Sequence, residues 1–348
     1  MKVKVRDSNL ELMRLFAIFS VIMYHTISYY TITYSPGNSF GYVAWLPFRT
    51  AVTLFVLTSG YFGIRFSYKG FFRIVAKTWL LFVPFEIGAI LIGGGIFSID
   101  ALTPLTRGPY WYIQCYLCLY LFSPVVNYYL NTITRSKRIY IILALSFISL
   151  FMGFFGEIKE LYDGKNLAHF ILIYIIGDTI RKEKESIDKI KTTCLWIAFA
   201  ILNIGIVLFF GCLYETPLRL LWPFVDFNNG IVLIINAIVT FILFTRINLQ
   251  SKVVNWLASS VLAIYILQQE PWISSQYAMW FSKVWDPDFA INCSGVLKTL
   301  MLVGYLGCRA IVFMILAIFI DKAFIPVWKL VTCLSEYISK KIPLPSEL

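Results

Sequence analysis

Long apolar runs separated by short polar stretches make up almost the whole chain. Several of them approach the ~20 residues with which a helix crosses a bilayer, whereas the fifth, sixth and eighth are shorter. The pattern predicts an all-α polytopic membrane protein with about ten transmembrane helices. The ten apolar segments lie approximately at 10–31, 42–64, 78–97, 111–131, 139–155, 167–180, 194–213, 229–245, 253–273 and 295–320.

The charge distribution orients these segments. Only 14% of the 348 residues are charged and 59% are hydrophobic, which excludes an ordinary soluble domain. A path that starts in the cytoplasm places 21 Lys and Arg residues in inner loops and 5 in outer loops. The positive-inside rule therefore predicts ten spans with both termini cytoplasmic. We expect no nucleic-acid partner despite the net charge of +11, because no basic patch is interleaved with exposed aromatic residues.

The two ends of the chain lead to different predictions. Residues 1–9 are too short and too charged for a cleavable signal peptide, so we interpret the first apolar run as an uncleaved span. We assign residues 1–323 to one transmembrane domain and 324–348 to a short cytoplasmic tail. Trp328, Leu330 and Leu334 alternate there with Lys329 and Lys340, a pattern typical of an amphipathic helix on a membrane surface.

Arg14 and His25 are the most informative residues of the first span. An ionisable side chain within a span is unfavourable and is a functional candidate by default. Eleven helical residues rotate by about 1100°, so the two side chains share one face about 16 Å apart along the axis. His25 is one of two histidines in the chain. An imidazole can take a proton from a hydroxyl and return it, so we predict that His25 is a general base, although a packing role remains the alternative.

Other polar residues within the apolar runs have weaker claims. Glu86 and Arg309 are expected to pair between helices, and His169 starts the sixth run with a packing role as an equal alternative. Cys115 and Cys118 have the spacing of half a metal site but lie in an apolar aromatic segment, so we interpret them as packing residues. The sequence contains no nucleophile elbow, phosphate-binding loop or dinucleotide fingerprint. We therefore predict no metal and no bound cofactor.

Motifs spread over nearly the whole chain resemble acyltransferase family 3, a family of integral membrane proteins. Arg14, ten intervening residues and His25 match the family's first-span motif. The second span ends with Phe55, three residues and Ser59-Gly-Tyr, as in the family. Pro109-Tyr-Trp111, and then Tyr120, Ser-Pro124 and Asn127, are similar to the segment that follows.

The chain departs from the family pattern at two places. Relatives often have Arg-x-x-Arg after the second span, whereas here Lys69, Arg73 and Lys77 are spaced by four. Many relatives read Ile-Tyr-Leu-Ile-His in the ninth span, where this chain has Gln268. Because an amide cannot titrate at neutral pH, any base at that position would have to be replaced by His25 alone or by Glu270.

The resemblance implies a membrane O-acyltransferase of the cell membrane. Its donor is acyl-CoA, with acetyl-CoA expected, and its acceptor is a hydroxyl of an extracytoplasmic polysaccharide, a lipid-linked glycan or a related surface molecule. His25 and Arg14 are the predicted catalytic residues. The expected donor- and substrate-binding residues are Glu11, Tyr24, Ser59, Arg65, Arg73, Lys77, Trp111, Asn127 and Gln268.

Two other functions remain open at this stage. In a transporter or lipid-glycan flippase, Arg49, Glu86 and Arg309 would line a pathway and His25 would relay protons. A glycan polymerase or ligase is disfavoured because such enzymes carry a large outer loop, whereas the outer loops here are short. The sequence leaves the acceptor, the acyl length and the oligomeric state, a homo-oligomer included, undefined.

Overall fold

The structure, a computed structural model, describes residues 7–34, 43–93, 99–106, 109–155, 161–213, 216–217, 221, 223–284 and 296–342. All regular elements in these ranges are helical. The α-helices are α1 Ser8–Tyr34, α2 Ala51–Phe62, α3 Tyr68–Gly93, α4 Trp111–Thr132, α5 Arg135–Leu150, α6 Leu167–Lys182, α7 Lys184–Asp188, α8 Thr192–Ala200, α9 Ile206–Leu213, α10 Pro223–Asp226, α11 Ile231–Thr245, α12 Lys252–Ala258, α13 Val261–Gln269, α14 Pro271–Val284, α15 Val296–Ala323 and α16 Ile325–Lys341. Short 3-10 or π segments lie at Leu46–Thr50, Ile99–Leu102, Phe151–Phe155, Tyr162–Gly164 and Ile201–Gly205.

Within the described residues, six helical stretches are long and apolar enough to cross a membrane. An all-α membrane protein is thus confirmed, while ten spans and the orientation of the termini stay predictions. Of the other predicted segments, 111–131 lies in α4, a helix of 22 residues, and the remaining ones are shorter or interrupted within the described ranges. The six stretches are Ser8–Ser28, Tyr68–Gly93, Arg135–Gly153, Thr192–Cys212, Phe224–Thr245 and Thr299–Ala323.

Helix α1 is central and α5 and α8 are peripheral. In α1, 61% of the most apolar window is buried, against 17% in the windows that contain α5 and α8. Met13, Ile18 and Ile22 of α1 are fully buried, whereas Phe147 of α5 is 64% exposed. The peripheral helices thus present the apolar faces that lipid would cover, and α1 carries its polar residues into the protein interior.

Helices α2 and α6 contact each other backbone to backbone. A side chain at Gly60 would overlap the backbone carbonyl of Tyr174, and one at Gly177 would overlap the carbonyl of Leu57. Small residues permit this approach, as is common between helices in membranes. Helix α2 then ends at Gly63, whose positive φ of 73° suits a residue without a side chain.

The predicted tail contains α16, which packs on α3. Lys69 of α3 pairs with Glu336, and Lys77 pairs with Asp321 at 2.7 Å. The hydrogen bond and charge of Lys69 hold the pKa of the exposed Glu336 carboxyl below its usual value. Trp328 of α16 donates from its indole nitrogen to the backbone oxygen of Asp321 at 3.0 Å. Residues 343–348 of the tail lie outside the described ranges.

Candidate active site

His25 lies on α1 where two hydrogen-bonding groups meet its ring. Its Nδ1 is 2.9 Å from the backbone oxygen of Val21. The Nε2 of Gln269 in α13 lies 3.3 Å from both ring nitrogens. Because a carbonyl oxygen can only accept, the Val21 contact assigns the proton of the neutral ring to Nδ1. The lone pair that a general base requires is therefore on Nε2.

A buried charge cluster lies beside His25. The rings of Tyr24 and His25 meet edge to face at 4.9 Å. Arg49 donates from Nη1 to the Tyr24 hydroxyl oxygen at 2.5 Å and from Nη2 to Asp163 Oδ1 at 2.6 Å. Its Nη1 is also 3.1 Å from Asp226 Oδ1. Two carboxylates thus compensate one guanidinium, as a charge removed from water requires.

Asp163 connects this cluster to the segment before α6. Its φ of 58° lies in the left-handed region, which aspartate adopts more readily than most side chains. Its carboxylate also pairs with Lys165 at 2.7 Å and accepts from the backbone N–H of Asn228 at 3.0 Å. Burial raises the pKa of Asp163, but the charges of Arg49 and Lys165, with these hydrogen bonds, outweigh it and hold the pKa below the usual value.

Trp111 lies close to Lys165, the second cation that pairs with Asp163. The Lys165 ammonium lies 5.6 Å from the centre of the Trp111 ring. Trp111 begins α4 and also packs against Phe170 at 6.3 Å. Trp111, an expected binding residue, therefore lies beside the charge cluster of Arg49, Asp163 and Asp226.

Arg14 lies at the other end of the His25 face of α1, in different surroundings. Its Nη1 donates to Glu11 Oε2 at 2.8 Å, and its side chain is 29% exposed. Arg14 and Glu11 both line a cavity of about 620 Å³. Asp7 and Arg65, which are exposed, line the same cavity, so this end of it reaches the surface.

The cavity follows α1 from Arg14 toward His25. Val21, whose carbonyl accepts from His25, lines its far part. Its walls combine apolar and aromatic side chains with a few polar groups, which is typical of ligand sites. Those wall residues include Val52, Phe55, Ser59, Tyr112, Tyr116, Tyr120, Val261 and Tyr265. The shared face that the sequence predicts for Arg14 and His25 thus borders a continuous space over much of its length.

The predicted binding residues divide into two groups. Glu11, Arg14, Ser59 and Arg65 line the cavity together. The others do not line the cavity, and their binding roles stay predictions. These are Tyr24, Arg73, Lys77, Trp111, Asn127 and Gln268.

Asn127 holds the chain that follows α2. It donates from Nδ2 to the backbone oxygen of Ile64 at 2.8 Å and accepts from the Tyr174 hydroxyl at 2.6 Å. That hydroxyl in turn accepts from the backbone N–H of Ile64 at 2.8 Å. Three residues further on, the Tyr120 hydroxyl accepts from the backbone N–H of Ser67 at 3.2 Å. Polar residues of α4 and α6 therefore fix the loop that carries Arg65.

The two predicted donor-binding residues of α3, Arg73 and Lys77, do not line the cavity. Lys77 pairs with Asp321 and lies 5.1 Å from the Trp328 ring, so its charge faces α15 and α16. Arg73 is exposed on the same helix.

Glu270, the alternative base, is buried and accepts from the backbone N–H of Ile273 at 2.6 Å, which caps the start of α14.

Sequence reasoning missed Asp163, Asp226 and Gln269. Both aspartates lie in or beside short connecting segments, and no spacing in the sequence relates them to Arg49. A buried Arg requires anionic partners, and this requirement was the one available signal. Among the described residues, no group of three or more His, Cys, Asp or Glu side chains is arranged to hold a metal ion.

Comparison with known proteins supplies the family. Searches of curated proteins and of solved structures returned no significant match. A family model described as an acyltransferase domain matches residues 7–321, nearly the whole chain. The match includes the Arg14 and His25 face, the cavity and the charge cluster around Arg49. The chain therefore belongs to acyltransferase family 3.

Proposed function

We propose that the protein transfers an acyl group from cytoplasmic acyl-CoA, with acetyl-CoA as the expected donor, to a hydroxyl of an extracytoplasmic glycan or related surface acceptor. The observation that carries the proposal is the cavity of about 620 Å³, which extends along α1 from Arg14 and Arg65 to Val21 beside His25. Family membership supports acyl transfer as the reaction class.

The charges at the surface end suit the donor. Arg14 and Arg65 line the cavity there, and guanidinium groups bind phosphate oxygens through charge-assisted hydrogen bonds. The pantetheine arm would then lie between the aromatic walls, with the thioester near Val21. The thioester would lie about 16 Å from the phosphates, which is the distance between Arg14 and His25 along the axis of α1.

The chemistry at His25 follows from its tautomer. Nε2 takes the proton of the acceptor hydroxyl while that oxygen attacks the thioester carbonyl. The carbon–sulfur bond then breaks, and the imidazolium returns the proton to the leaving CoA thiolate. In this route the acceptor would approach from the side of Tyr24, whose ring meets that of His25 edge to face. A covalent acyl-histidine is a variant of this route that the same residue would serve.

The decisive experiment measures transfer from labelled acetyl-CoA by the intact protein in nanodiscs. A second measurement compares, by mass spectrometry, the surface polysaccharide of cells with and without the protein. We expect His25→Ala to lower transfer by about 10²–10⁴-fold, the usual contribution of a general base. His169→Gln is the matched control, because it removes the other histidine. Undiminished transfer by the His25 variant would overturn the role of His25 as the general base.

The same measurements address the rival function. If wild-type protein gives no acylated glycan but moves a lipid-linked glycan across the bilayer, the transporter interpretation replaces ours. In the structure Arg49, one of the residues assigned to a transport pathway, is buried against Asp163 and Asp226 and does not line the cavity.

A further inference from the structure

Gln269, the last residue of α13, brings an amide against the His25 ring. Its Nε2 is 3.3 Å from both Nδ1 and Nε2 of His25. The same nitrogen donates to Gln268 Oε1 at 2.7 Å. Gln268 is buried, with 6% of its surface exposed, so the second amide fixes the first. Two consecutive side chains of α13 thus form a short hydrogen-bonded chain that ends on α1.

The donor and the acceptor of each hydrogen bond between Gln268, Gln269 and His25 can be assigned. An amide nitrogen has two hydrogens, and one of those on Gln269 goes to Gln268. The other points to the imidazole, where Nδ1 already donates to the Val21 carbonyl. The remaining nitrogen of His25, Nε2, has the lone pair and accepts. Gln269 therefore contacts the very atom that the proposed reaction uses as base.

We propose that Gln269 is a positioning residue for His25. Together with the Val21 carbonyl it fixes the ring orientation and keeps the lone pair on Nε2. Its hydrogen bond to Nε2 breaks when an acceptor hydroxyl binds to that nitrogen. This inference rests on the proposed function, since it concerns the same base. The amide also disfavours the imidazolium, because a protonated Nε2 offers no lone pair to an N–H donor.

The charged groups beside His25 compensate one another. Arg49 pairs with Asp163 and Asp226, and Lys165 pairs with Asp163. Tyr24 contacts the ring edge and is itself held by Arg49. A carboxylate in place of the Gln269 amide would reverse the local preference, because it accepts from Nε2–H and attracts the imidazolium.

The first test is independent of activity. Protein containing ¹⁵N-labelled histidine is titrated by NMR in detergent micelles, with His169→Gln to assign the two rings. We expect Gln269→Glu to move the His25 titration midpoint upward by about one pH unit or more, the usual effect of an adjacent opposite charge. Gln114→Met is the matched control, because its amide donates to the Leu105 backbone oxygen instead.

The second test measures acetyl transfer. Gln269→Met should lower kcat by about 10-fold or more while changing the KM for acetyl-CoA little, because the base is misoriented and the donor site is intact. Gln269→Glu should recover activity above its shifted midpoint, which the methionine variant should not.

The outcomes separate the two proposals. If the His25 midpoint is the same in wild-type, Gln269→Met and Gln269→Glu protein, the positioning role is overturned, whatever the activity. If the midpoint moves as expected but wild-type protein transfers no acyl group, the contact is established and the proposed function fails.

Discussion

Arg14 and Arg49 both lie within apolar stretches, yet the structure surrounds them differently. Arg14 is 29% exposed, pairs with Glu11 and lines a cavity that reaches the surface. Arg49 is 9% exposed and is held by Asp163, Asp226 and the Tyr24 hydroxyl. A guanidinium beside open space can bind a ligand, whereas one compensated by buried carboxylates stabilises the fold. The position of an arginine within an apolar stretch therefore does not by itself indicate its role.

The largest effect on stability is expected from removing Arg49, the buried arginine. Arg49→Ala leaves Asp163 and Asp226 without their shared partner, and loss of one member of a buried ion pair typically costs about 3–5 kcal/mol. We expect a loss of that size in the free energy of unfolding, measured by denaturation in detergent. Arg49→Lys is the control, because it keeps the charge and loses the second donor. An unchanged unfolding transition for the alanine variant would contradict the assignment.

The pH dependence of stability tests the same buried ion pair through Asp163. The pKa of Asp163 is below its usual value in the folded protein, so its charge stabilises the fold above the ordinary carboxyl pKa of about 3.9, and this contribution is lost as the pH falls through the depressed pKa. Asp163→Asn should cost about 2 kcal/mol near neutral pH. The difference from wild type should shrink below about pH 3.9, as thermal unfolding at several pH values would show. A difference that is constant with pH would argue against the ion pairs.

Arg14 should respond in the opposite way. Arg14→Ala removes a partly exposed pair, so the free energy of unfolding should change by less than about 1 kcal/mol. The KM for acyl-CoA should rise about 10-fold, the equivalent of one lost charge-assisted hydrogen bond. Glu11→Gln, which removes the carboxylate and keeps Arg14, is the control. If Arg14→Ala destabilises the protein as strongly as Arg49→Ala, the contrast between the two arginines is wrong.

The smallest effect is expected at the surface. The Lys69 and Glu336 pair lies on α3 and α16 with both side chains exposed. Glu336→Gln should leave the unfolding temperature within the error of the measurement, because solvent and salt screen such pairs. A clear loss would mean that α16 contributes more to the fold than its exposed pairs suggest. Comparing low and high salt would separate the charge from the packing.

The periodicity of the chain predicted much of the fold. Apolar runs located the helices, and the rotation per residue placed Arg14 and His25 on one face of α1, which borders the cavity. The pattern could not show that α1 is central, because the buried Met13 and the exposed Phe147 are both apolar. Burial of either residue depends on which helices pack against it.

The site was predictable only in part for a related reason. Motifs indicate Arg14 and Ser59, the charge of Arg65 indicates a donor contact, and these three residues line the cavity together. Asp163 reaches Arg49 from 114 positions further along the chain, and such a contact is created by helix packing. Gln269 follows Gln268, at which the sequence departs from the family pattern, and its contact with His25 depends on how α13 lies against α1.

The fixed loop between α2 and α3 has a consequence for affinity. Tyr174, Asn127 and Tyr120 satisfy its backbone groups, so Arg65 is presented by a segment that is ordered before any ligand arrives. Binding usually loses free energy when mobile loops and side chains must be immobilised. A donor that binds at this entrance therefore loses its own conformational entropy, whereas the loop backbone loses little.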